Sequence, residues 1–146
     1  MDERTETLFE SLDGLLAAPK LDPDVVVGLF SAEIEGNVER STRAFAVFEG
    51  PCSGDIAVKL EMRIPIEPKG RQDALIIVTL PRSMTLTTAQ VFEHYGREYA
   101  FSLSDPERVE RRTSFRYKHD GGDLSFVFDG NEERALEVVI DRAGWR

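Results

Sequence analysis

The stretch Asp55-Ile56-Ala57-Val58-Lys59-Leu60-Glu61-Met62-Arg63-Ile64 carries the cleanest pattern in the chain. Ile56, Val58, Leu60, Met62 and Ile64 recur at every second position, with Ala57, Lys59, Glu61 and Arg63 between them. A period of two sends these sets to opposite faces of a strand. One face is oily and the other wet, so the pattern predicts an antiparallel sheet covered on a single side. Pro65, Pro68 and Gly70 end the run.

Strand signals extend both ways from this segment. Residues 43–49 (Arg-Ala-Phe-Ala-Val-Phe-Glu) are apolar on both faces and stop at Gly50-Pro51. Ala74 to Leu80 is continuously apolar, which fits a central strand covered on both faces. Toward the end, Phe115 and Tyr117 alternate with Arg116 and Lys118, and Asp120-Gly121-Gly122-Asp123 supplies a tight turn. Leu124, Phe126 and Phe128 alternate next, and after Asp129-Gly130-Asn131 so do Leu136, Val138 and Ile140. The chain therefore closes on three antiparallel strands. Residues 97–112 are polar, contain Asp105-Pro106, and read as a loop.

Three segments have helical spacing. Leu8, Leu12, Leu15 and Leu16 form an amphipathic stripe between Thr5 and Ala17, widened by Phe9 and ended by Pro19. Asp22-Pro23 opens a second helix with a capping side chain and a proline where no donor is lost, and Val26, Leu29 and Phe30 share its face. Thr87 with Gln90 forms a capping box for a third helix that ends at Gly96, with Ala89, Phe92 and Tyr95 lining one side.

These elements predict an α+β fold of two layers, an antiparallel sheet of about six strands with helices on one face. The 146 residues form one domain: a helix over 1–20, a first half over 21–82 and a second over 86–142. The halves align as a tandem α-β-β-β repeat. Leu21, Val26 and Phe30 match Leu86, Val91 and Tyr95 at an offset of 65, Phe45 and Val47 match Phe115 and Tyr117 at 70, and Ala74–Val78 matches Ala135–Val139 at 61. A common element order with apolar residues at obligatory positions gives the same pattern, so the alignment has two readings. The order, the helix stop from Val91 to Gly96 and the final hairpins resemble the two-repeat domains of the β-lactamase-inhibitor-protein and outer-membrane small-lipoprotein type over residues 21–142. Those families are exported and the inhibitors carry disulfides, whereas Cys52 is the only cysteine here, so their activity is not carried over. The element order also looks like that of small secretion chaperones, which bind effector proteins and finish with a helix where this chain finishes with a strand.

Charge and composition narrow the function. The net charge is −9, and residues 1–39 hold ten acids against two bases. That region disfavours nucleic acid or an anionic membrane and suits a basic protein partner or a solvated helix face. No apolar run reaches the ~18–20 residues of a membrane span. The acidic start and single cysteine place the chain in the cytoplasm.

Catalytic motifs are missing: there is no nucleophile elbow, phosphate loop or zinc-binding helix. His94 and His119 are the only histidines. His119-Asp120 sits at a hairpin tip, where turn chemistry already explains the aspartate. Asp22, Asp24, Glu33, Glu35 and Glu39 lack calcium-loop spacing and read as a solvated edge. Arg108, Arg111, Arg112, Arg116 and Lys118 are the one basic concentration, but strand alternation sends Phe115 and Tyr117 away from the cations, against base stacking. No basic neighbour in sequence activates Cys52, and Trp145 near the end fits either a dock on the domain or a partner anchor. The reading that follows is a non-enzymatic protein-binding module, immunity-like or chaperone-like, without cofactor or metal. Its contacts are the acidic N-terminal region and a polar sheet face bearing Lys59, Glu61, Arg63, Arg116, Lys118 and Glu137, with Ser114, Ser125 and Asp141 beside them. The rival is a small ligand-binding domain or enzyme with a pocket between helices and sheet at His94, Tyr95 and Tyr99.

Overall fold

The computed structural model describes residues 2–42, 44–66, 74–103, 111–120 and 122–142, and its helices begin where the capping residues dictate. The Thr5 N–H donates to the Asp2 carboxylate at 2.8 Å, so α1 (Glu3–Ala17) starts ahead of the expected Thr5. The Val25 N–H donates to Asp22 at 3.0 Å and opens α2 (Pro23–Phe30). At α3 (Thr88–Tyr95) both capping-box bonds form: Gln90 N–H to the Thr87 hydroxyl at 3.2 Å and Thr87 N–H to the Gln90 side chain at 3.0 Å. Gly96, at a φ of 91°, stops this helix. Ala89 is exposed rather than packed with Phe92 and Tyr95, because Val91 is the residue the helix buries. Two positions rotate a side chain by about 200°, so Ala89 faces out.

The strands are β1 (Glu35–Gly36), β2 (Phe45–Pro51), β3 (Lys59–Pro65), β4 (Leu75–Thr79), β5 (Ala100–Leu103), β6 (Arg112–His119), β7 (Gly122–Asp129) and β8 (Ala135–Asp141). They form one antiparallel sheet in the order β1-β2-β3-β4-β8-β7-β6-β5. Eight strands replace the expected six, and both additions are edges. β1 is two residues long, too short to show any period. β5 sits inside residues 97–112, where Arg97 and Glu98 hide a four-residue alternation that read as loop. Each half is a four-stranded meander after a helix, and the halves meet where β4 pairs with β8. Phe45 and Phe115 fall in the second strand of their halves, and Leu75 and Leu136 in the fourth.

Two further boundaries depart from the alternation. β2 runs through Gly50 and Pro51, which pair with Leu60 and Lys59. β3 begins only at Lys59, so Val58, expected beside Leu60 in the core, is 51% exposed while Ala57 is buried. Val58 keeps its backbone bonds to both neighbours, its N–H donating to the Thr79 C=O at 2.9 Å, so the alternation breaks with the residues before it. The Arg4 Nε donates to the Asp55 carbonyl at 3.1 Å, and the Val58 C=O accepts from Cys52 N–H at 3.0 Å. There Ile56 and Ala57 are both buried, against the alternation. Pro68, Gly70, Asp105-Pro106, Arg108, Gly121 and Trp145 lie outside the described residues.

All three helices pack on one face of the sheet. Leu8, Phe9, Leu12 and Leu15 of α1, Val26 and Phe30 of α2 and Val91 of α3 join Leu60, Met62, Ile76, Val78, Phe115, Tyr117, Leu124, Phe126, Phe128, Val138 and Ile140 in a single core. α1 is thus a full member of the core, held at its far end by Arg142. The Arg142 guanidinium donates to the Leu15, Ala18 and Pro19 carbonyls at 2.9, 2.5 and 3.2 Å, where helix carbonyls lack partners.

Candidate functional site

The register fixes what the opposite face carries. One row across the sheet reads Lys59, Thr79, Glu137, Val127, Ser114; the next reads Glu61, Ile77, Val139, Ser125, Arg116; the third reads Arg63, Leu75, Asp141, Asp123, Lys118. Lys59, Glu61, Arg63, Arg116, Lys118 and Glu137 therefore share one face, together with Ser114, Ser125 and Asp141. The middle of that face is apolar. Leu75, Ile77, Val127 and Val139 form their own cluster, with Val139 only 2% exposed. The charges fall into two groups on either side of it.

At the β2–β3 end the charges are tied together. Glu61, only 9% exposed, accepts from Arg40 Nη1 at 2.6 Å and from Arg63 Nε at 2.7 Å. Glu49 accepts from Asn37 at 2.8 Å and also pairs with Arg40 and with Lys59. The Asn37 bond and these cations hold the Glu49 carboxyl below its usual range. Residues 37–42 lie along β2: Asn37 N–H donates to the Val47 C=O at 2.8 Å and Val47 N–H to the Ser41 hydroxyl at 3.0 Å. Arg40 was invisible to sequence reasoning, since only the fold brings it over Glu49 and Glu61.

At the β6 end Arg116 Nε donates to Asp123 at 2.8 Å, and Arg112 reaches Glu137 at 3.4 Å. Arg116 and Lys118 line a surface concavity of about 590 Å³ with Glu98, Tyr99 and Ala100. Phe115 and Tyr117 are buried on the opposite side, under the helices.

The acids of α1 do not join this surface, whereas Glu35 of the same acidic region stands beside Glu49 at the β1–β2 edge. Glu3, Glu6 and Glu10 are exposed on α1, whose buried residues face the sheet, so the acids point away from it. Among the described residues none of the three has an ion-pair partner. Of the acidic region expected to act with the sheet face, the α1 part lies on the opposite side of the domain.

The residues of the rival pocket pack against other side chains, His94 and Tyr95 together and Tyr99 apart from them. His94 Nε2 and the Tyr95 hydroxyl lie 2.9 and 2.8 Å from the two oxygens of Asp13, on α1. Phe9 stacks on His94 at 4.6 Å, and Tyr99 stacks on Phe92 at 4.9 Å. Only Tyr99 borders the concavity. His119 and Asp120 are exposed at their turn, and Cys52 is half-buried with its thiol pushed up by burial, which makes it a poor nucleophile.

Two tyrosines give this layer a pH signature. Burial, reinforced by Asp13, keeps Tyr95 protonated well above the usual phenol range. Burial pushes Tyr117, whose hydroxyl donates to the Gly96 carbonyl at 2.8 Å, up to about 12. Folded phenols thus hold their protons at pH values where unfolded ones have lost them. Stability is full below about pH 10 and falls as pH rises toward 12, the window between the unfolded and folded values. Thermal melts across that window will show the fall, and Tyr117→Phe will make it shallower while leaving the part due to Tyr95.

Among the described residues no helix is long and apolar enough to cross a membrane, and no group of three or more His, Cys, Asp or Glu side chains is placed to hold a metal ion. Fold and face together define an α+β protein with a one-sided, eight-stranded antiparallel sheet. The chain matches no protein-family model, no curated protein and no solved structure.

Proposed function

We propose that this chain is a non-enzymatic protein-binding module, immunity-like or chaperone-like, that meets its partner with the sheet face opposite the helices. One observation carries the reading: the helices all pack on one side, and the other side presents Lys59 and Lys118 to solvent at its two ends. Glu61, Asp123 and Glu137 are engaged by arginines and Lys59 pairs with Glu49 at 3.7 Å, which leaves Lys118 as the cation without an acidic partner among the described residues. A partner surface bearing acids suits this face, in place of the basic partner that the N-terminal acids suggested. The acids of α1 keep the chain soluble. The two meanders are read as an internal repeat, in line with the two-repeat resemblance, and a cytoplasmic site as in keeping with the single thiol.

Affinity capture from an extract of the native host, quantified by mass spectrometry, tests the reading. Wild type recovers one protein reproducibly, and Lys59→Glu, at an exposed position, recovers about fivefold less of it with an unchanged melting temperature. Recovery of nothing, together with a metabolite that raises the melting temperature by more than about 5 °C, would replace the binding module with a small-ligand domain.

A further inference from the structure

The two edges of the sheet are guarded differently. β1 is two residues long, with Glu33, Glu35 and Glu39 in and around it, the short charged edge that resists pairing with other chains. β5 has no such defence. Ala100–Leu103 contains no charge or proline, pairs with β6 in unbroken register, and is exposed at all four residues. Among the described residues nothing pairs with its free side.

The two faces of this edge differ in chemistry. Phe101 and Leu103, on the helix side, are 49% and 69% exposed, and Phe101 continues the ring cluster of Phe115 and Tyr99. Ala100 and Ser102, on the other side, are small, and Ala100 borders the concavity where Glu98, Arg116 and Lys118 stand. Lys118 has no acidic partner among the described residues, and Arg97 lies over the Phe92 ring at the same end. A strand laid along β5 would meet an apolar step on one face and, on the other, a hollow lined by Arg116 and Lys118 with Glu98.

We propose that β5 takes up an extended segment of a partner protein as an added strand, its apolar side chains alternating with acidic ones. The ladder's hydrogen bonds supply affinity, while alternate side chains reach Phe101 and Leu103 on one face and Lys118 and Arg116 on the other. The chain's net charge of −9 does not oppose this, because −8 of it falls in residues 1–39 and charges beyond about 8 Å are screened at physiological salt. A second copy is a poorer occupant, since β5 against β5 sets like cations at both ends and offers no acids between them. This inference rests on the reading of the chain as a protein-binding module and names the chemistry of its partner.

The test is an NMR titration of the full chain with a capped peptide of alternating glutamate and valine, beside one of alternating lysine and valine. The glutamate peptide will shift and protect the amides of Ala100–Leu103, and the lysine peptide will not. Leu103→Lys will weaken binding about tenfold and Lys118→Glu about fivefold, while Lys59→Glu leaves it unchanged. Both changed side chains are exposed, so the variants keep the wild-type melting temperature. Equal binding of the two peptides, shifts confined to other strands, or no shift up to about millimolar peptide would overturn the proposal. So would a dimer in light scattering that Leu103→Lys abolishes, because the occupant would then be a second copy. If the peptide fails while Lys59→Glu still loses the captured protein, the edge is wrong and the sheet-face reading stands.

Discussion

Phe126→Ala is expected to lower folding stability by about 3–5 kcal/mol, as burying an alanine where a large ring stood leaves a cavity that a sheet cannot close. Phe126 is 1% exposed at the middle of β7 and pairs across the sheet with Val138 and Phe115. Its ring meets Phe9 edge-on at 6.2 Å, Tyr95 at 5.4 Å and Tyr117 at 6.4 Å. It is therefore where α1, α3 and the second meander touch one another. Urea denaturation followed by tryptophan-independent far-UV circular dichroism will show the lower midpoint. Because α1 packs on this ring, the loss should appear as one cooperative transition, with α1 melting alongside the strands. A separate early melting of α1 would show that the helix is an appendage.

Gly50→Ala is expected to cost about 3 kcal/mol for a different reason, overpacking against backbone. A Cβ on Gly50 would stand 1.8 Å from the Glu33 carbonyl oxygen and 2.8 Å from its carbon, and neither can rotate away. Glu33 N–H donates to the Pro51 C=O at 2.9 Å, so relieving the clash breaks the chain's entry into β1. Gly28, inside α2, is the internal control: nothing lies within 4 Å of its Cβ position, and Gly28→Ala should stabilise by about 0.5–1 kcal/mol through helix propensity. Thermal melts of the two variants separate the cases, and a neutral Gly50→Ala would mean that residues 33–34 do not cross β2.

The local elements were largely legible in the sequence because they depend on near neighbours. Asp22-Pro23 and Thr87 with Gln90 announce their helices through bonds within one turn. The alternation at Leu60, Met62 and Ile64 announces the covered face, and the turn signal after His119 agrees with the antiparallel pairing of β6 and β7. The features that escaped are those fixed at a distance. β1 is too short to have a period, and β5 is stabilised by pairing with β6 rather than by its own residues. The alternation fails before Val58, where Ile56 and Ala57 are both buried and Arg4, far away in sequence, binds the Asp55 carbonyl. The candidate face was legible as a set, since period two alone puts Lys59 and Glu61 together, but its electrostatics were not. Arg40 arrives on Glu61 through a loop, and Leu75, Val127 and Val139 divide the charges because three strands bring apolar residues to neighbouring rows. Nor does composition show that the acids of α1 point away from the sheet, since that requires knowing which side of the sheet the helix covers.

The four lysines, at positions 20, 59, 69 and 118, allow the central idea to be tested in one measurement. Lys59 and Lys118 lie on the face without helices, and Lys20 follows the end of α1 in the helix layer. In a complex treated with a lysine-reactive cross-linker and digested for mass spectrometry, the partner should be joined to Lys59 and Lys118. Links to Lys20 alone, with Lys59 and Lys118 left as reactive as in the free chain, would show that the partner sits on the helices and that the exposed sheet face is not the binding surface.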